Sequence, residues 1–199
     1  MCKIAFIMGK SATGKDHIYK ALVEDNELNL KTVVMYTTRP MRAAETEGVE
    51  YHFVDDEYAQ KLAETNKIIE LRAYNTVCGV WKYFTADDGQ IDLEKGKYIV
   101  IGTLEAYEKY CDYFGKEMIL PIYIETDDGI RLERALTREK KQEVPKYAEM
   151  CRRFLADCED FSEEKLRNHG IDKVYYNNGE IIDCINEIKA DILHYVIED

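Results

Sequence analysis

The chain has 199 residues, 46% of them hydrophobic, and a formal net charge of −12 at pH 7. This length suits one compact domain, and no stretch approaches the roughly 18 consecutive apolar residues that a membrane helix needs. The negative charge argues against binding to nucleic-acid polymers or anionic membranes, because both need a basic protein face.

The first predicted element is a buried strand over the apolar residues 4–8. The loop that follows, Gly9 to Asp16, contains two glycines separated by four residues and then a lysine. This is the spacing of a phosphate-binding loop, whose backbone amides surround an anion while the lysine adds positive charge. A helix after the loop would point the positive end of its dipole at the same anion. The residues expected to contact nucleotide phosphates are Gly9, Ser11, Ala12, Thr13, Gly14, Lys15 and Asp16.

Asp16 stands where this motif usually has a serine or threonine whose hydroxyl binds Mg²⁺. A carboxylate beside a bound triphosphate needs a cation between them, and Mg²⁺ prefers hard oxygen ligands. An acid in the first turn of a helix is also favourable by about 0.3–1 kcal/mol without any metal. We therefore expect Asp16 to bind Mg²⁺, with the helix dipole as the alternative explanation.

A second predicted strand, residues 32–35, precedes two arginines that are three positions apart, Arg39 and Arg42. Guanidinium groups match phosphate oxygens in pairs, so this spacing favours a second phosphate site. Taken alone, the same pair is equally typical of a surface ion-pair cluster.

The rest of the chain predicts an α/β fold with a small inserted subdomain. Further strands are expected at residues 98–101, 119–124 and 173–176, separated by helical segments that include residues 144–167. This alternation predicts a parallel sheet covered by helices on both faces. Three strand-like stretches, residues 49–54, 67–74 and 80–85, with one short helix at 57–65, interrupt it and form the insertion. The charged run 138–143 is either a solvated turn or a mobile lid.

The string Thr-Thr-Arg-Pro-x-Arg, together with the phosphate-binding loop, resembles the guanylate kinase family. The resemblance continues along nearly the whole chain, through Glu45, Gly48, Tyr51 to Val54, Ile69, Glu70, Gly79, Arg134, Arg138, Arg153 and residues 172–177. It implies one domain, 1–199, with a P-loop NTPase-type core at about 1–36, 97–137 and 168–199. The inserted section, about 37–90, would bind the nucleoside monophosphate (NMP), and the lid would be about 138–147.

The resemblance also implies an activity, the transfer of the terminal phosphoryl group of ATP to GMP or dGMP with Mg²⁺. Lys15 would hold the donor phosphates, and Arg138 and Arg153 would cover the transferring group as further catalytic residues. The implied acceptor contacts are Arg39, Arg42 and Tyr51 for the phosphate and Glu70 for the guanine base. Small nucleotides are the expected partners, and no oligomeric state is implied. Phosphoryl transfer asks mainly for positioning and for cations around the transferring oxygens, so no general base is expected.

Four acceptor-side positions depart from the family pattern, and each removes a polar contact. Met35 and Val80 replace serines, Cys78 replaces a phosphate-binding tyrosine, and Thr103 replaces an aspartate. A buried partner left unpaired costs about 1–3 kcal/mol, so base discrimination is expected to weaken. Tyr74, Trp81 and Tyr83 are near enough in sequence to supply replacements.

The metal-side acids of the family change as well. Ile101 and Thr103 stand at the end of the third core strand in place of paired acids, while the loop has gained Asp16. The carboxylate near Mg²⁺ is therefore expected to have moved to the loop, and Thr103 is expected to lend a hydroxyl on the acceptor side.

Two other functions stay open at this point. One is a kinase of the same fold that acts on another nucleotide or a sugar phosphate, and the other is a noncatalytic binding module of the same fold. The loop lysine, both glycines and the lid arginines favour an enzyme over a module.

A cytoplasmic location is also expected. The first apolar run is not preceded by the charged and apolar order of a secretion signal. The six cysteines include no C-x-x-C pair, which predicts reduced thiols in place of disulfides or zinc.

Overall fold

A computed structural model describes residues 2–42, 45–76 and 79–197; Cys78 lies outside them. The strands are β1 (Ile4–Gly9), β2 (Lys31–Thr32), β3 (Tyr36–Thr37), β4 (His52–Phe53), β5 (Ile68–Thr76), β6 (Gly79–Ala86), β7 (Tyr98–Gly102), β8 (Ile119–Glu125) and β9 (Val174–Tyr176). The helices are α1 (Lys15–Val23), α2 (Asp56–Glu64), α3 (Leu104–Phe114), α4 (Asp128–Lys140), α5 (Tyr147–Asp160), α6 (Glu163–Asn168) and α7 (Ile181–Ile192). A short 3₁₀ turn, Lys116–Met118, and a π turn, Leu193–Ile197, complete the elements.

The core is a five-stranded parallel sheet in the order β2-β7-β1-β8-β9, with β1 at its centre. Side chains of β1 alternate between two apolar clusters. Phe6 and Met8 pack with residues of α3, whereas Ala5 and Ile7 pack with residues of α1 and α7. Both faces of the sheet are therefore covered by helices, and the α/β fold predicted from the sequence is confirmed.

A second, four-stranded sheet in the order β4-β3-β6-β5 is built from the inserted section. Its main part is the antiparallel hairpin β5–β6, which pairs Arg72 with Tyr83 and Glu70 with Thr85. A small apolar cluster around Tyr36 and Phe84 lies beneath this sheet. Helix α3 of the core packs against β5, so the hairpin lies beside the carboxyl end of the core sheet.

Several predicted elements have different limits in the structure. The strand expected at 32–35 ends at Thr32, because the backbone of Val34 pairs with the side chain of Gln90 as the chain crosses between the two sheets. The strand expected at 49–54 is reduced to His52–Phe53. The single helix expected over 144–167 is two helices, because Ser162 followed by two glutamates begins a new one.

The charged run 138–143 is partly helical, since Arg138 to Lys140 form the last turn of α4. The carboxylate of Glu139 in this turn is buried and accepts a hydrogen bond from the backbone of Lys146. The hydrogen bond of Glu139 therefore ties the run to the start of α5. The limits of the lid, the core and the NMP-binding section stay predictions.

Two sequence expectations concern the whole chain. In the described ranges no helix is both long enough and apolar enough to cross a membrane. The five cysteines within those ranges are free thiols, as expected from their scattered positions.

Candidate active site

The candidate site lies at the carboxyl edge of the core sheet. Strands β1, β7, β8 and β9 end at this edge, which is where ligands bind in open α/β sheets. A cleft of about 720 Å³ opens there, between the phosphate-binding loop, α3, α5 and the hairpin β5–β6. Its walls include Gly9, Ser11, Lys15, Arg72, Tyr74, Thr103 and Asp157.

The backbone of the phosphate-binding loop requires both of its glycines. Gly14 has φ +89°, and a Cβ there would lie 2.6 Å from Nδ2 of Asn177. A Cβ on Gly9 would lie 2.5 Å from the carbonyl oxygen of Ile124. Ala12 also adopts positive φ, 65°. The glycine spacing seen in the sequence is therefore required by the loop conformation, quite apart from any ligand.

Thr13 fixes the loop to the sheet from the buried side. Its hydroxyl donates to the carbonyl of Lys10 at 2.9 Å, and its own carbonyl accepts from Nδ2 of Asn177 at 2.7 Å. Thr126 donates to the backbone carbonyl of Asn177 at 3.1 Å. Thr13, Thr126 and Asn177 are all buried, so this polar network holds the loop in one conformation.

A second set of contacts ties the loop to α4 and α5. The amide of Ser11 donates to Oδ2 of Asp157 at 2.7 Å, and its carbonyl accepts from Nε of Arg131 at 3.1 Å. Arg131 is fully buried, also contacts Asp157 and Asp128, and stacks on the ring of Phe154. Arg131 is therefore a structural connection between the loop and the two helices.

Lys15 and Asp16 begin α1 but have different surroundings. Lys15 lines the cleft, whereas Asp16 is exposed in the first helical turn and does not line it. Across the described ranges, no group of three or more His, Cys, Asp or Glu side chains could hold a metal ion by itself. Mg²⁺ is commonly held by one or two carboxylates plus substrate phosphates. The chemistry of Asp16 suits such an ion, but its side chain lies outside the cleft lining.

Arg39 is buried and its guanidinium already has several partners. Both Nη atoms donate to the carboxylate of Glu45, at 2.9 and 2.7 Å, and Nε donates to the hydroxyl of Tyr83 at 3.2 Å. The hydrogen bonds from Arg39 hold the pKa of Glu45 below its usual value. Arg42 is exposed and contributes its backbone amide to Glu45, while the ring of Tyr51 lies 5.6 Å from the Arg39 guanidinium.

Glu70 is buried beneath Arg72 on β5. Its two oxygens accept from Nε and Nη2 of Arg72 at 3.1 and 3.3 Å, and Oε1 also accepts from the hydroxyl of Thr85 at 3.2 Å. Burial raises the pKa of the Glu70 carboxyl, although Arg72 opposes this. Nη2 of Arg72 also lies 3.8 Å from the sulfur of Met35.

The remaining predicted site residues have different positions. Thr103 lines the cleft and caps α3, where its hydroxyl oxygen accepts the amide hydrogen of Ala106 at 3.2 Å. Arg138 and Arg153 are exposed on α4 and α5, and neither lines the cleft. Arg138 lines a separate surface pocket along α4. Arg153 forms a long ion pair with Glu149, in which Nε lies 3.9 Å from Oε1.

Known proteins resemble this chain in sequence and in fold. A family model described as guanylate kinase matches residues 1–80. The guanylate kinase of Mycoplasma mobile is 30% identical over 196 residues, which cover 94% of this chain and 90% of that relative. The chain belongs to the guanylate kinase family.

Other members of the guanylate kinase family align over different shares of the chain. The guanylate kinase of Caldanaerobacter subterraneus subsp. tengcongensis is 26% identical over 193 residues, 94% of this chain and 84% of that relative. The one from Schizosaccharomyces pombe is 37% identical over 73 residues, 37% of this chain and 36% of that relative. A crystal structure of guanylate kinase from Anaplasma phagocytophilum has the same fold, with a TM-score of 0.64 at 18% identity, over 99% of this chain and 88% of that one.

Three of the four departures from the guanylate kinase pattern fall on described residues. Met35 contacts Arg72, Val80 is exposed, and Thr103 caps α3. Of the three aromatic residues considered as replacements, Tyr83 reaches Arg39, and the ring of Tyr74 packs edge-on against Tyr83 at 5.7 Å. Tyr83 therefore lies closest to the expected acceptor-phosphate contacts.

Sequence reasoning missed several residues of this site, notably Arg72, Asp157 and Asn177. A signal existed for Arg72, because positions 70, 72 and 74 of one strand share a face. A signal also existed for Asn177, because it directly follows a strand at the edge where the loop lies. No sequence signal pairs Asp157 with Ser11, since their contact depends on how α5 packs against the loop.

Proposed function

We propose that this protein transfers the terminal phosphoryl group of ATP to GMP or dGMP. The observation that carries the proposal is the shared cleft, in which Lys15 and the phosphate-binding loop face Arg72 and Tyr74 of the inserted hairpin. Such a cleft can hold a donor phosphate chain on one side and an acceptor on the other. The family relationship supports the same assignment.

On the donor side, the backbone of residues 9–16 and the ammonium group of Lys15 are proposed to bind the phosphates of ATP. Asp16 is proposed to hold Mg²⁺ together with those phosphates, and the ion would supply positive charge to the phosphate oxygens. No side chain needs to form a covalent bond to the substrate, because phosphoryl transfer depends on in-line positioning and electrostatic stabilisation.

On the acceptor side, Arg39, Arg42 and Tyr51 are proposed to bind the phosphate, and Glu70 is proposed to belong to the base end of the site. The guanidinium of Arg39 is already paired with Glu45 and Tyr83, so a bound phosphate would compete with Glu45 for its donors. Thr103 is proposed to offer its hydroxyl to the acceptor from the opposite wall. Arg138 and Arg153 are proposed to reach the transferring group through movement of α4 and α5, because both are exposed outside the cleft.

We place this activity in the cytoplasm, where ATP and nucleoside monophosphates are available and thiols stay reduced. The small-nucleotide partner class is supported by the size of the cleft. A noncatalytic module of the same fold has no use for a lysine at the end of this loop that lines an open cleft.

The test is a coupled assay of ADP release from ATP and Mg²⁺ across GMP, dGMP, AMP, CMP, UMP and several sugar phosphates. We expect turnover with GMP and dGMP that exceeds turnover with the pyrimidine nucleotides. Turnover with a sugar phosphate alone would move the acceptor to another class. Failure to bind ATP, measured by calorimetry, would overturn the enzymatic assignment.

A further inference from the structure

The hairpin β5–β6 has one face of polar and aromatic side chains, and two of them, Arg72 and Tyr74, line the cleft. Alternation along β5 places Glu70, Arg72 and Tyr74 on the same face. The residues paired with them across the hairpin are Thr85, Tyr83 and Trp81. Along this face the Glu70–Thr85 contact lies at one end and the Tyr74–Trp81 pair at the other, and Tyr83, which accepts from Arg39, lies between them.

Two charged groups of this face, Glu70 and Arg72, differ in how deeply they are buried. The side chain of Glu70 is 2% exposed, and that of Arg72 is 19% exposed. Arg72 lines the large cleft together with Ser11 and Lys15, whereas Glu70 does not. Glu70 instead lines a smaller neighbouring pocket of about 230 Å³, which it shares with Arg72. A ligand entering the cleft therefore meets the guanidinium before the carboxylate.

Glu70 and Arg72 also differ in how many of their hydrogen-bonding groups are still available to a ligand. Both oxygens of Glu70 already accept from Arg72, and Oε1 also accepts from Thr85. A carboxylate that recognises guanine alone needs both oxygens for the N1–H and N2–H donors. The hydrogen bonds of Arg72 use Nε and Nη2, and Nη1 has no hydrogen-bond partner among the residues that the structure describes. Arg72 thus keeps donors for a ligand where Glu70 has little acceptor capacity left.

We propose that Arg72 is the specificity-determining residue for the acceptor base and donates hydrogen bonds to its O6 and N7 atoms. Glu70 is the positioning residue that fixes the guanidinium plane. The proposal rests on the nucleoside monophosphate kinase activity proposed above and names its substrate class, 6-oxopurine nucleotides. An arginine matches O6 and N7 of guanine in this way, whereas adenine places an amino donor at position 6.

The assignment makes a substrate prediction that differs from recognition by the carboxylate. Hypoxanthine has the same O6 and N7 as guanine but lacks the 2-amino group. If Arg72 recognises the base, kcat/KM for IMP lies within about fivefold of that for GMP, and AMP is worse by roughly 10- to 100-fold. If Glu70 recognises N1–H and N2–H directly, IMP loses a charged hydrogen bond and falls well below GMP.

The decisive test combines a ligand atom with a side chain. We expect 7-deaza-GMP, which lacks N7, to show roughly tenfold lower kcat/KM than GMP with the unchanged protein. In Arg72→Met, kcat/KM for GMP falls roughly 10- to 100-fold, KM for ATP stays the same, and the difference between GMP and 7-deaza-GMP disappears. Arg167→Gln is the matched control, because Arg167 is an exposed arginine on α6 that pairs with Glu163.

Arg72→Met leaves the Glu70 carboxylate buried without its cation, so it is accompanied by Arg72→Met with Glu70→Gln, which removes both charges. Glu70→Gln alone should raise KM for GMP while KM for ATP stays constant, as expected of a positioning residue. A penalty for 7-deaza-GMP that persists in both Arg72 variants overturns the role of Arg72 and leaves the kinase activity standing. Absence of turnover with GMP and IMP in the unchanged protein overturns both proposals.

Discussion

The phosphate-binding loop and the hairpin β5–β6 face the same cleft but are built in different ways. The loop offers backbone amides, and buried contacts from Thr13 and Asn177 hold it in one conformation. The hairpin offers side chains, and these are held by pairing with one another, as in Arg72 with Glu70. A site built from backbone amides limits which residues its loop can contain. A site built from side chains can change those side chains while the strands that carry them stay the same.

This difference explains where the chain follows its family. The loop has both glycines of the phosphate-binding pattern, because any Cβ at Gly9 or Gly14 would collide with its surroundings. The hairpin side has changed at Met35 and Val80 and has its own polar network of Arg72 and Tyr83. The donor site should therefore be sensitive to backbone changes and the acceptor site to changes in side-chain chemistry.

The largest expected effect tests the loop. Lys15→Ala should lower kcat/KM by roughly 100- to 1,000-fold, because it removes a cation from the proposed phosphate site. Lys20→Ala is the control on the same helix, since the side chain of Lys20 is 75% exposed and pairs only loosely with Glu24. Steady-state assays with GMP and ATP measure both. Similar activity of the two variants would contradict the proposal that the loop binds the donor phosphates.

A glycine replacement tests whether backbone geometry controls the loop. Gly14→Ala should destabilise the protein by roughly 1–3 kcal/mol, because φ there is +89° and a side chain is strained in that region. ATP binding should weaken with it. Gly129→Ala is the control, since a Cβ at this helical position meets nothing within 4 Å. Urea unfolding and calorimetry with ATP measure the effects; equal stability of both variants would contradict the loop argument.

A hydroxyl removal tests the hairpin side. Tyr83→Phe leaves Nε of buried Arg39 without its acceptor, so KM for GMP should rise roughly fivefold, equivalent to about 1 kcal/mol. KM for ATP should stay unchanged. Tyr113→Phe removes a comparable hydrogen bond, to Asp87 at 2.8 Å, at the surface and serves as control. A rise in KM for ATP of the same size would show that the two halves of the cleft are not independent.

The smallest expected effect is a pH dependence at the buried end of the hairpin. Burial raises the pKa of Glu70 above its ordinary value of 4.5. Between the unfolded and folded pKa the folded protein binds more protons, so this group makes stability fall as pH rises from 4.5. Glu70→Gln cannot titrate, so its free energy of unfolding should fall less as the pH rises above 4.5.

Urea unfolding at a series of pH values measures this slope, with Glu163→Gln as the control because the Glu163 side chain is 94% exposed. The control should keep the slope of the unchanged protein. A Glu70→Gln slope equal to that of the control would mean that the carboxyl of Glu70 is not shifted in the folded state.

Sequence reasoning predicted the fold and the loop well because both follow from local patterns. Apolar residues 4–8 followed by the glycine spacing are sufficient to place a central strand and a loop that needs glycines, and the structure has both. Phosphate binding by this loop stays a prediction. The short strand at Lys31–Thr32 was missed because its end depends on the side chain of Gln90, which pairs with the backbone of Val34. The new helix after Ser162 was missed although Ser162 followed by two glutamates is a local helix start signal.

The side-chain contacts on the acceptor side were harder to predict from the sequence. The sequence identified Arg39 and Glu70 only through a resemblance, and their roles stay predictions. It left an ion-pair cluster open for Arg39 and Arg42, but it could not name Glu45 as the partner of Arg39 or place Arg72 between Glu70 and the cleft. Partner choice among charged side chains depends on strand register and burial, which no local pattern specifies.

The link between Ser11, Arg131 and Asp157 has a mechanical consequence. Any anion that takes the Ser11 amide has to displace the carboxylate that now accepts its hydrogen. Arg131, which touches both Ser11 and Asp157, then loses one of its ties. Because Asp157 shares α5 with Arg153, we expect a phosphate bound at the proposed donor site to act first on the helix that carries one of the two distant arginines.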